Sequence, residues 1–266
     1  MLEYLVIMFA VGVGEVSGHG RMIEPPSRAS MFRFGYNNPP DYNDNELNCG
    51  GFAVQQELGG KCGICGNPFN GTRHHEAGGR YANGIISGSY VSGQVIRVSI
   101  QITANHRGYF VFKVCPNNDV NRMATHECLD EYALELADGS GTKYYIDDRL
   151  GNYDIDLTLP EDLVCSQCVL QWMYRCGNNH GTAENGTSCL GCGPQEEFYA
   201  CSDIEILASG GQPVSQTPVA LVGRVVPLSI IGSGISLYVN KHGRFDYFVR
   251  YLSIRQDVLM ANSLTQ

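Results

Sequence analysis

Five short segments alternate apolar and polar residues, and this alternation most constrains how the chain can fold. In GQVIRVSIQI, at residues 93–102, apolar side chains recur at every second position over the last seven residues. A period of two predicts a strand with one face against a core and the other toward water. Turn-forming residues separate the segments, which lie at 93–102, 109–114, 153–159, 168–174 and 203–207.

Short strands without crossover helices predict an all-β fold. We expect an antiparallel β-sandwich of the immunoglobulin or fibronectin-III type, with long disulfide-stapled loops, rather than an α/β fold. Residues 20–90 are rich in Pro, Gly and Asn and predict one long loop region. A short helix is predicted at residues 125–135, with Thr125 as its N-cap.

The amino terminus has the pattern of a secretory signal. Residues 4–14, YLVIMFAVGVG, form an apolar run that is too short to span a bilayer but matches the hydrophobic region of a signal peptide. Val16 and Gly18 fit the small-residue positions before a cut at His19. The alternative, a buried amino-terminal strand, gives no reason for the two glutamates in this stretch.

The chain is therefore predicted to divide into a signal peptide at 1–18, a β-sandwich domain at 19–208 and a C-terminal tail of unknown function at 209–266. The tail could form an extra strand pair, a tether or a disordered segment. Its apolar stretch at 221–239 is interrupted by an arginine, a proline and three glycines, so a membrane span is disfavoured. We expect a secreted, extracellular monomer.

The eleven cysteines indicate either an oxidising compartment or a metal held by sulfur. Two of the three Cys-x-x-Cys pairs are spaced as in a zinc ribbon. The signal pattern and two glycosylation sequons, at Asn70 and Asn185, favour disulfides instead. Because eleven is odd, at least one thiol stays unpaired or pairs with another chain, and Cys176 is the predicted one because it lies outside the paired motifs. Those motifs are Cys62/Cys65, Cys165/Cys168 and Cys189/Cys192.

Cleavage before His19 would expose an amino-terminal histidine, which can chelate a metal. Its α-amine, with a reference pKa of about 8, can lose its proton to a metal at modest cost. The amine, the ring Nδ1 and one further imidazole make a planar three-nitrogen site that suits Cu(II). His106 is the best candidate for that imidazole because it lies between two predicted strands. His74 and His75 lie in a Gly- and Arg-rich loop and are expected to be solvated.

Seven motifs stand in order along the chain: HGRMIEPPSRASMFRFG, NCGGF, GGKCGICG, ANGIISGSY, TANHRGYF, CSQCVLQW and GCGPQEEFYACSDIEI. Together they resemble the lytic polysaccharide monooxygenases of auxiliary activity family fifteen, the animal branch related to chitin-binding type-four domains. The resemblance runs from His19 to about Leu207, so the domain at 19–208 is expected to be a copper monooxygenase. The tail lies outside the resemblance.

The resemblance implies a copper-binding histidine brace with one copper ion per chain. His19 would bind through its amine and Nδ1, and His106 through Nε2. Phe198 matches the aromatic position at one axial face of the copper, although a shift of one residue puts Tyr199 there. Without the family, Phe198 would be interpreted as a core aromatic residue.

Two further residues take roles from the same resemblance. Ala104 matches the small residue that crowds the opposite axial position in chitin-active relatives. Glu196 lies where a polar group would position dioxygen or peroxide, whereas the sequence alone would make it a solvated loop carboxylate.

The implied activity is oxidative cleavage of glycosidic bonds in crystalline chitin, with cellulose as the second choice. Dioxygen or hydrogen peroxide would be the co-substrate, and an external donor would supply electrons. Exposed loop residues such as Tyr36, Asn37 and Tyr42 could contact a flat polysaccharide surface. A noncatalytic chitin-binding module and a zinc-stabilised interaction module are the alternatives. With 27 acidic and 18 basic residues, for a formal net charge of −9, nucleic acid is not an expected partner.

Overall fold

The computed structural model describes residues 19–210, together with the backbone of two strands, Ile235–Val239 and Phe245–Val249. The predicted signal peptide at 1–18 lies outside the described residues. The chain divides by its contacts into two units, Met1–Val214 and Ser215–Gln266, and each is described by itself.

The first unit is built mainly from short β-strands, as the alternating pattern predicts. Within residues 19–210, the helical segments are one 3-10 turn at Met31–Phe34 and two six-residue helices, α1 (Phe52–Glu57) and α2 (His126–Glu131). The strands are β1 (His19–Glu24), β2 (Gly88–Val91), β3 (Val95–Ala104), β4 (Tyr109–Cys115), β5 (Glu135–Leu136), β6 (Tyr144–Tyr145), β7 (Gly151–Thr158), β8 (Cys165–Arg175), β9 (His180–Thr182), β10 (Ser188–Leu190) and β11 (Glu197–Leu207).

Two sheets contribute to one core and confirm the predicted immunoglobulin-like sandwich. The first sheet has the strand order β1-β3-β7-β5, and the second has the order β2-β11-β8-β4-β6. Strands β9 and β10 form a separate hairpin. Neighbouring strands run antiparallel except for β2 and β11, which are parallel. This edge pair is a departure from the predicted purely antiparallel arrangement.

The core between the sheets is rich in aromatic residues. Trp172 and Phe110 are fully buried, with ring centroids 5.4 Å apart, and Phe110 also meets Tyr174 edge-on at 5.1 Å. From the first sheet, the apolar face of β3 contributes Ile100 and Ile102. Burial of each such side chain stabilises the fold by about 1.5–3 kcal/mol, so this cluster sets the spacing of the sheets.

The five predicted strands are all present, but the predicted loop region at 20–90 also contains a 3-10 turn, helix α1 and two strands, β1 and β2. Strand β1 pairs with β3, and β2 pairs with β11. Their pairing partners lie far away in the sequence, and β1 has few apolar residues, so no local periodicity marks either strand. Strand β11 also begins earlier than predicted, at Glu197.

The predicted helix at 125–135 begins as expected but ends early. Thr125 is the N-cap, and its hydroxyl accepts a hydrogen bond from the N–H of Cys128 at 3.3 Å. The helix ends at Glu131 because the following residues join the sheets. The N–H of Leu134 donates to the carbonyl of Phe112 at 2.9 Å, and β5 follows directly.

Ten cysteines form five disulfides, and Cys176 is free and buried, as predicted. The two pairs spaced as in a zinc ribbon each close on themselves, so these thiols do not hold zinc. The first Cys-x-x-Cys motif is divided between two bridges, one of which ties the loop region to β11. The bridges are Cys49–Cys62, Cys65–Cys201, Cys115–Cys128, Cys165–Cys168 and Cys189–Cys192.

The second unit contains a strand pair. Strands β12 (Ile235–Val239) and β13 (Phe245–Val249) run antiparallel. The residues that the structure describes include no helix that is long and apolar enough to cross a bilayer. Most of the apolar stretch at 221–239 lies outside them.

Candidate metal centre

His19 is the first residue of β1 and pairs in register with Ala104, the last residue of β3. The strand comes close to the core because the next residue is Gly20. A Cβ there would lie 2.7 Å from Cδ1 of Ile102 and 2.9 Å from Cη2 of Trp172. The His19 side chain keeps 23% of its surface exposed. His19 and Ala104 therefore lie side by side at one end of the first sheet.

His106 lies in the turn that joins β3 to β4 and is 9% exposed. Its N–H donates to the hydroxyl of Tyr174 at 2.9 Å, and its carbonyl accepts from the N–H of Gly177 at 2.9 Å. The turn requires Gly108, whose φ is +90° and whose added Cβ would lie 2.1 Å from the carbonyl oxygen of Arg175. The packed core thus fixes where His106 lies.

Phe198 on β11 connects the two histidine positions through ring contacts. Its ring centroid is 6.4 Å from that of His19 and 5.8 Å from that of Tyr174, and the residue is fully buried. Tyr199 lies apart from these rings, and its hydroxyl donates to Oε2 of Glu197 at 2.8 Å. The aromatic residue beside His19 is therefore Phe198 rather than Tyr199.

Glu196 is buried beside His106 rather than solvated. Its Oε2 lies 3.5 Å from Nδ1 of His106, and its Oε1 accepts from Nδ2 of Asn48 at 3.2 Å. The thiol of Cys176 completes a group whose ligand-capable atoms all lie within 4.8 Å of one another. Burial raises the pKa of the Cys176 thiol above its ordinary value.

Glu46 is a neighbour of the site that sequence reasoning missed. Its Oε1 lies 2.9 Å from Nε2 of His19, although the two residues are 27 positions apart. The loop that carries Glu46 has no periodic pattern, and only the acidic run DYNDNE at 41–46 distinguishes it. The contact depends on the pairing of β1 with β3, which the sequence did not reveal.

Of the two adjacent histidines expected to be solvated, only His74 is exposed. His75 is 4% exposed, which corrects that expectation. Its ring nitrogens lie 2.8 Å from Oδ2 of Asp41 and 3.2 Å from Oδ1 of Asn67, and its ring stacks on Tyr81 at 4.6 Å. These polar partners make burial of the imidazole possible.

A family model described as lytic polysaccharide mono-oxygenase, cellulose-degrading, matches residues 19–204. The chain belongs to this family of monooxygenases. It is similar to a solved structure of the lytic polysaccharide monooxygenase AA15 from Thermobia domestica in the Cu(I) state. The two share 48% identity with a TM-score of 0.70, over 71% of this chain and 99% of that chain.

Two other solved structures match less closely. A chitin binding domain from Burkholderia pseudomallei shares 16% identity with a TM-score of 0.39, over 71% of this chain and 100% of that chain. The fusolin of Wiseana spp entomopoxvirus spindles shares 18% identity with a TM-score of 0.29, over 55% of this chain and 48% of that chain. Scores this low support no argument about this monooxygenase. Among curated proteins, no significant match is found.

Membership of the family makes the chain a copper-dependent monooxygenase that cleaves polysaccharides oxidatively, which confirms the predicted enzyme class. Members of this family are generally extracellular and act at polysaccharide surfaces.

The donors at the monooxygenase site fit a copper ion held by nitrogen. The ring nitrogens that face carboxylates are Nε2 of His19 and Nδ1 of His106. The nitrogens that the predicted brace uses are the other two, Nδ1 of His19 and Nε2 of His106, and neither makes a hydrogen bond within residues 19–210. Phe198 offers no ligand atom. Such a set suits a tetragonal, nitrogen-rich copper centre.

Proposed function

We propose that the monooxygenase holds one copper ion by the α-amine and Nδ1 of His19 and by Nε2 of His106. The pairing of His19 with Ala104 carries the proposal, because it sets His19 beside the strand end that leads into His106. Three nitrogen ligands leave coordination positions open, as catalytic rather than structural metal sites do.

Three residues surround this proposed brace. The buried ring of Phe198, which has no ligand atom, would exclude water beside His19, and the small side chain of Ala104, which pairs with His19, would limit access to the site. Glu196 faces Nδ1 of His106, the nitrogen that does not bind copper, so we assign it to holding that ring. The placement of dioxygen or peroxide by Glu196 stays a prediction.

We further infer that residues 1–18 are a signal peptide and that the protein is secreted as a monomer. The family match begins at His19, and chelation by the α-amine requires a cut at that position. Five disulfides also fit an oxidising compartment. Asn70 and Asn185 are exposed, so both sequons are accessible to glycosylation.

The reaction oxidises one C–H bond of the sugar to C–OH at C1 or C4. When bound, copper supplies the one-electron chemistry that activates the oxidant. With dioxygen, an external donor supplies two electrons and two protons, and the second oxygen atom leaves as water. With hydrogen peroxide, these two electrons and two protons are already part of the oxidant, and the second oxygen atom again leaves as water. The hydroxylated carbon then expels the glycosidic oxygen and the chain breaks. His19 and His106 would hold the copper, and the buried ring of Phe198 would exclude water beside His19.

We propose crystalline chitin as the substrate, with cellulose second. Ala104 supports chitin, while the description of the matching family model supports cellulose. Among the loop residues predicted to contact sugar rings, Asn37 is exposed and Tyr42 is 76% exposed, whereas Tyr36 is half-buried and its hydroxyl donates to a carbonyl at 3.4 Å. Tyr42 is therefore the best of the three for stacking on a sugar.

Protein from a secreting host tests the proposed site directly. We expect the intact mass to show an amino terminus at His19, and the EPR spectrum to show one tetragonal Cu(II) with nitrogen ligands. A different amino terminus, or a copper-loaded protein that yields no oxidised oligosaccharides, would contradict the proposal. Zinc binding with free thiols would instead support an interaction module.

Separate incubations with β-chitin and cellulose distinguish the substrates. Mass spectrometry of the soluble products identifies both the polysaccharide cleaved and the oxidised end, C1 or C4. We expect oxidised chitin oligosaccharides in larger yield. Binding to chitin without cleavage of either polymer would favour the noncatalytic chitin-binding module.

A further inference from the structure

The loop at residues 41–46, which we call the acidic loop, ends against the proposed copper ligand. The carboxylate of Glu46 lies 2.9 Å from Nε2 of His19. The Glu46 side chain is 50% exposed, so this contact alone resembles many surface ion pairs of small energetic effect. Further hydrogen bonds and ion pairs attach the acidic loop to β1, so the position of Glu46 does not depend on this contact alone.

Backbone and ion-pair contacts join the acidic loop to β1. The N–H of Gly20 donates to the carbonyl of Asn45 at 3.0 Å. Nη1 of Arg21 donates to both carboxylate oxygens of Asp44, at 2.9 and 3.1 Å. The residues immediately after His19 thus bind the residues immediately before Glu46, which fixes the separation of the two side chains.

Asp44 anchors the acidic loop through the ion pairs of its buried carboxylate. Its side chain is fully buried, and Arg33 from the 3-10 turn binds it a second time, at 2.6 and 3.0 Å. A buried carboxylate with two guanidinium partners is a specific arrangement, since leaving either charge unpaired is costly.

The side chain of Asn45 links the acidic loop to β3 as well. Its Nδ2 donates to Oγ1 of Thr103 at 3.0 Å, and that hydroxyl in turn donates to the carbonyl of His19 at 3.3 Å. Asn45, through Thr103, and Glu46 therefore fix the backbone and the ring of His19, while Asp44 binds Arg21 two residues further along β1.

We propose that Glu46 is a positioning residue for the metal ligand His19. A carboxylate only accepts hydrogen bonds, so the contact places the ring proton on Nε2 and leaves the lone pair on Nδ1. That is the tautomer which the brace requires. The inference rests on the proposed function, in which Nδ1 and the α-amine of His19 bind copper.

The test compares four proteins with an amino terminus at His19: wild type, Glu46→Ala, Glu46→Gln and a matched control, Glu131→Ala, at the exposed end of α2. Copper affinity is measured by competition with a chelator, and long-range 1H–15N NMR of the apo proteins reports the His19 tautomer. We expect Glu46→Ala to bind copper about tenfold more weakly and to populate both tautomers. Glu46→Gln, whose amide oxygen still accepts, restores most of the affinity, and Glu131→Ala matches wild type.

The outcomes separate the two proposals. If wild type binds copper normally and Glu46→Ala shows the same affinity and the same single tautomer, the positioning role is wrong while the copper site stands. If wild type binds no copper through His19, the proposed function fails first, and the positioning role fails with it. A shifted EPR spectrum for Glu46→Ala, with an unchanged thermal midpoint, would support a local effect on the ligand rather than on the fold.

Discussion

The two proposed copper ligands are held by different kinds of interaction. His19 lies at an exposed strand end, where Asp44 and Glu46 of the acidic loop fix its neighbours and its ring through charged contacts. His106 lies in a buried turn, where Tyr174 binds its backbone and Gly108 permits the close approach of β8. One ligand is thus placed by charged contacts, of which the Glu46 pair is exposed and the Asp44 pair is buried, and the other by the packed core.

Because of this difference, we expect the two halves of the site to respond to different perturbations. An exposed pair such as that of Glu46 with His19 weakens with salt and tolerates small movements, whereas a close-packed core transmits a change of even one methyl group. We therefore expect changes near His106 to affect stability, and changes near His19 to affect copper binding with less effect on the fold.

Loss of the core-held ligand should have the largest effect. In His106→Ala, we expect copper-dependent oxidised products to fall below detection, because only two of the three nitrogen donors remain. The exposed His74→Ala is the matched control and should keep wild-type activity. Products are measured by mass spectrometry after incubation with chitin. Full activity in His106→Ala would remove His106 from the site.

Gly108→Ala tests the turn on the core side. The methyl group would meet the carbonyl of Arg175 at 2.1 Å while the residue keeps φ at +90°. We expect a loss of about 3 kcal/mol in the free energy of unfolding, of which the backbone conformation alone accounts for about 1–2 kcal/mol. Gly139→Ala, with φ at +76° and open space around it, isolates the contribution of the backbone conformation. Equal losses in both variants, measured by denaturant unfolding, would show that the contact with Arg175 is unimportant.

Asp44→Ala tests the charged contacts of the acidic loop beside His19. It leaves the largely buried Arg21 and the partly exposed Arg33 without their carboxylate, so we expect a loss of about 2 kcal/mol in the free energy of unfolding. Copper affinity should fall as well, because the acidic loop no longer holds Glu46. Asp148→Ala, at an exposed pair with Arg107, should change stability by less than about 0.5 kcal/mol. A stable Asp44→Ala with normal copper affinity would contradict the proposed role of the acidic loop.

The smallest effect concerns acid stability at the start of the acidic loop. Burial raises the pKa of Asp41, but the hydrogen bond with His75, nearby positive charge and the N–H of Asn43 together lower it by more, so the pKa lies below its ordinary value of 3.8. A lowered native pKa contributes stability above pH 3.8 and loses it as the pH falls through the native value. Wild type should therefore exceed Asp41→Asn in thermal midpoint at pH 5, and the difference should shrink toward pH 2.5. A difference that is constant with pH would show that the Asp41 charge does not contribute.

The fold could be predicted from the sequence where the information is local. The alternation in residues 93–102 predicts β3, and Thr125 predicts the start of α2, because side-chain periodicity and capping act over a few residues. Strands β1 and β2 were missed because their hydrogen bonds go to strands far along the chain. The end of α2 was missed for the same reason, since the next residues pair with β4 and β7.

The site could likewise be predicted only where the information is local or comes from the family resemblance. His19 and His106 follow from the chelating chemistry of an amino-terminal histidine and from the family resemblance, while Phe198 and Glu196 depend on the resemblance alone. No pattern pointed to Glu46, because a contact over 27 residues exists only once β1 has paired with β3. The depth of Glu196 was also not foreseeable, since burial of a carboxylate depends on partners that the fold brings to it.

The buried thiol of Cys176 has a consequence for how the disulfides form. Eleven thiols compete during oxidation, and ten must pair while one is left out. Exchange proceeds through the thiolate, which burial suppresses, so Cys176 cannot attack the bridges once the fold is complete. That protection begins only when β8 has packed between β4 and β11. Closure of the sandwich before oxidation is finished therefore favours correct pairing, and we expect more mispaired protein from a secreting host that oxidises early.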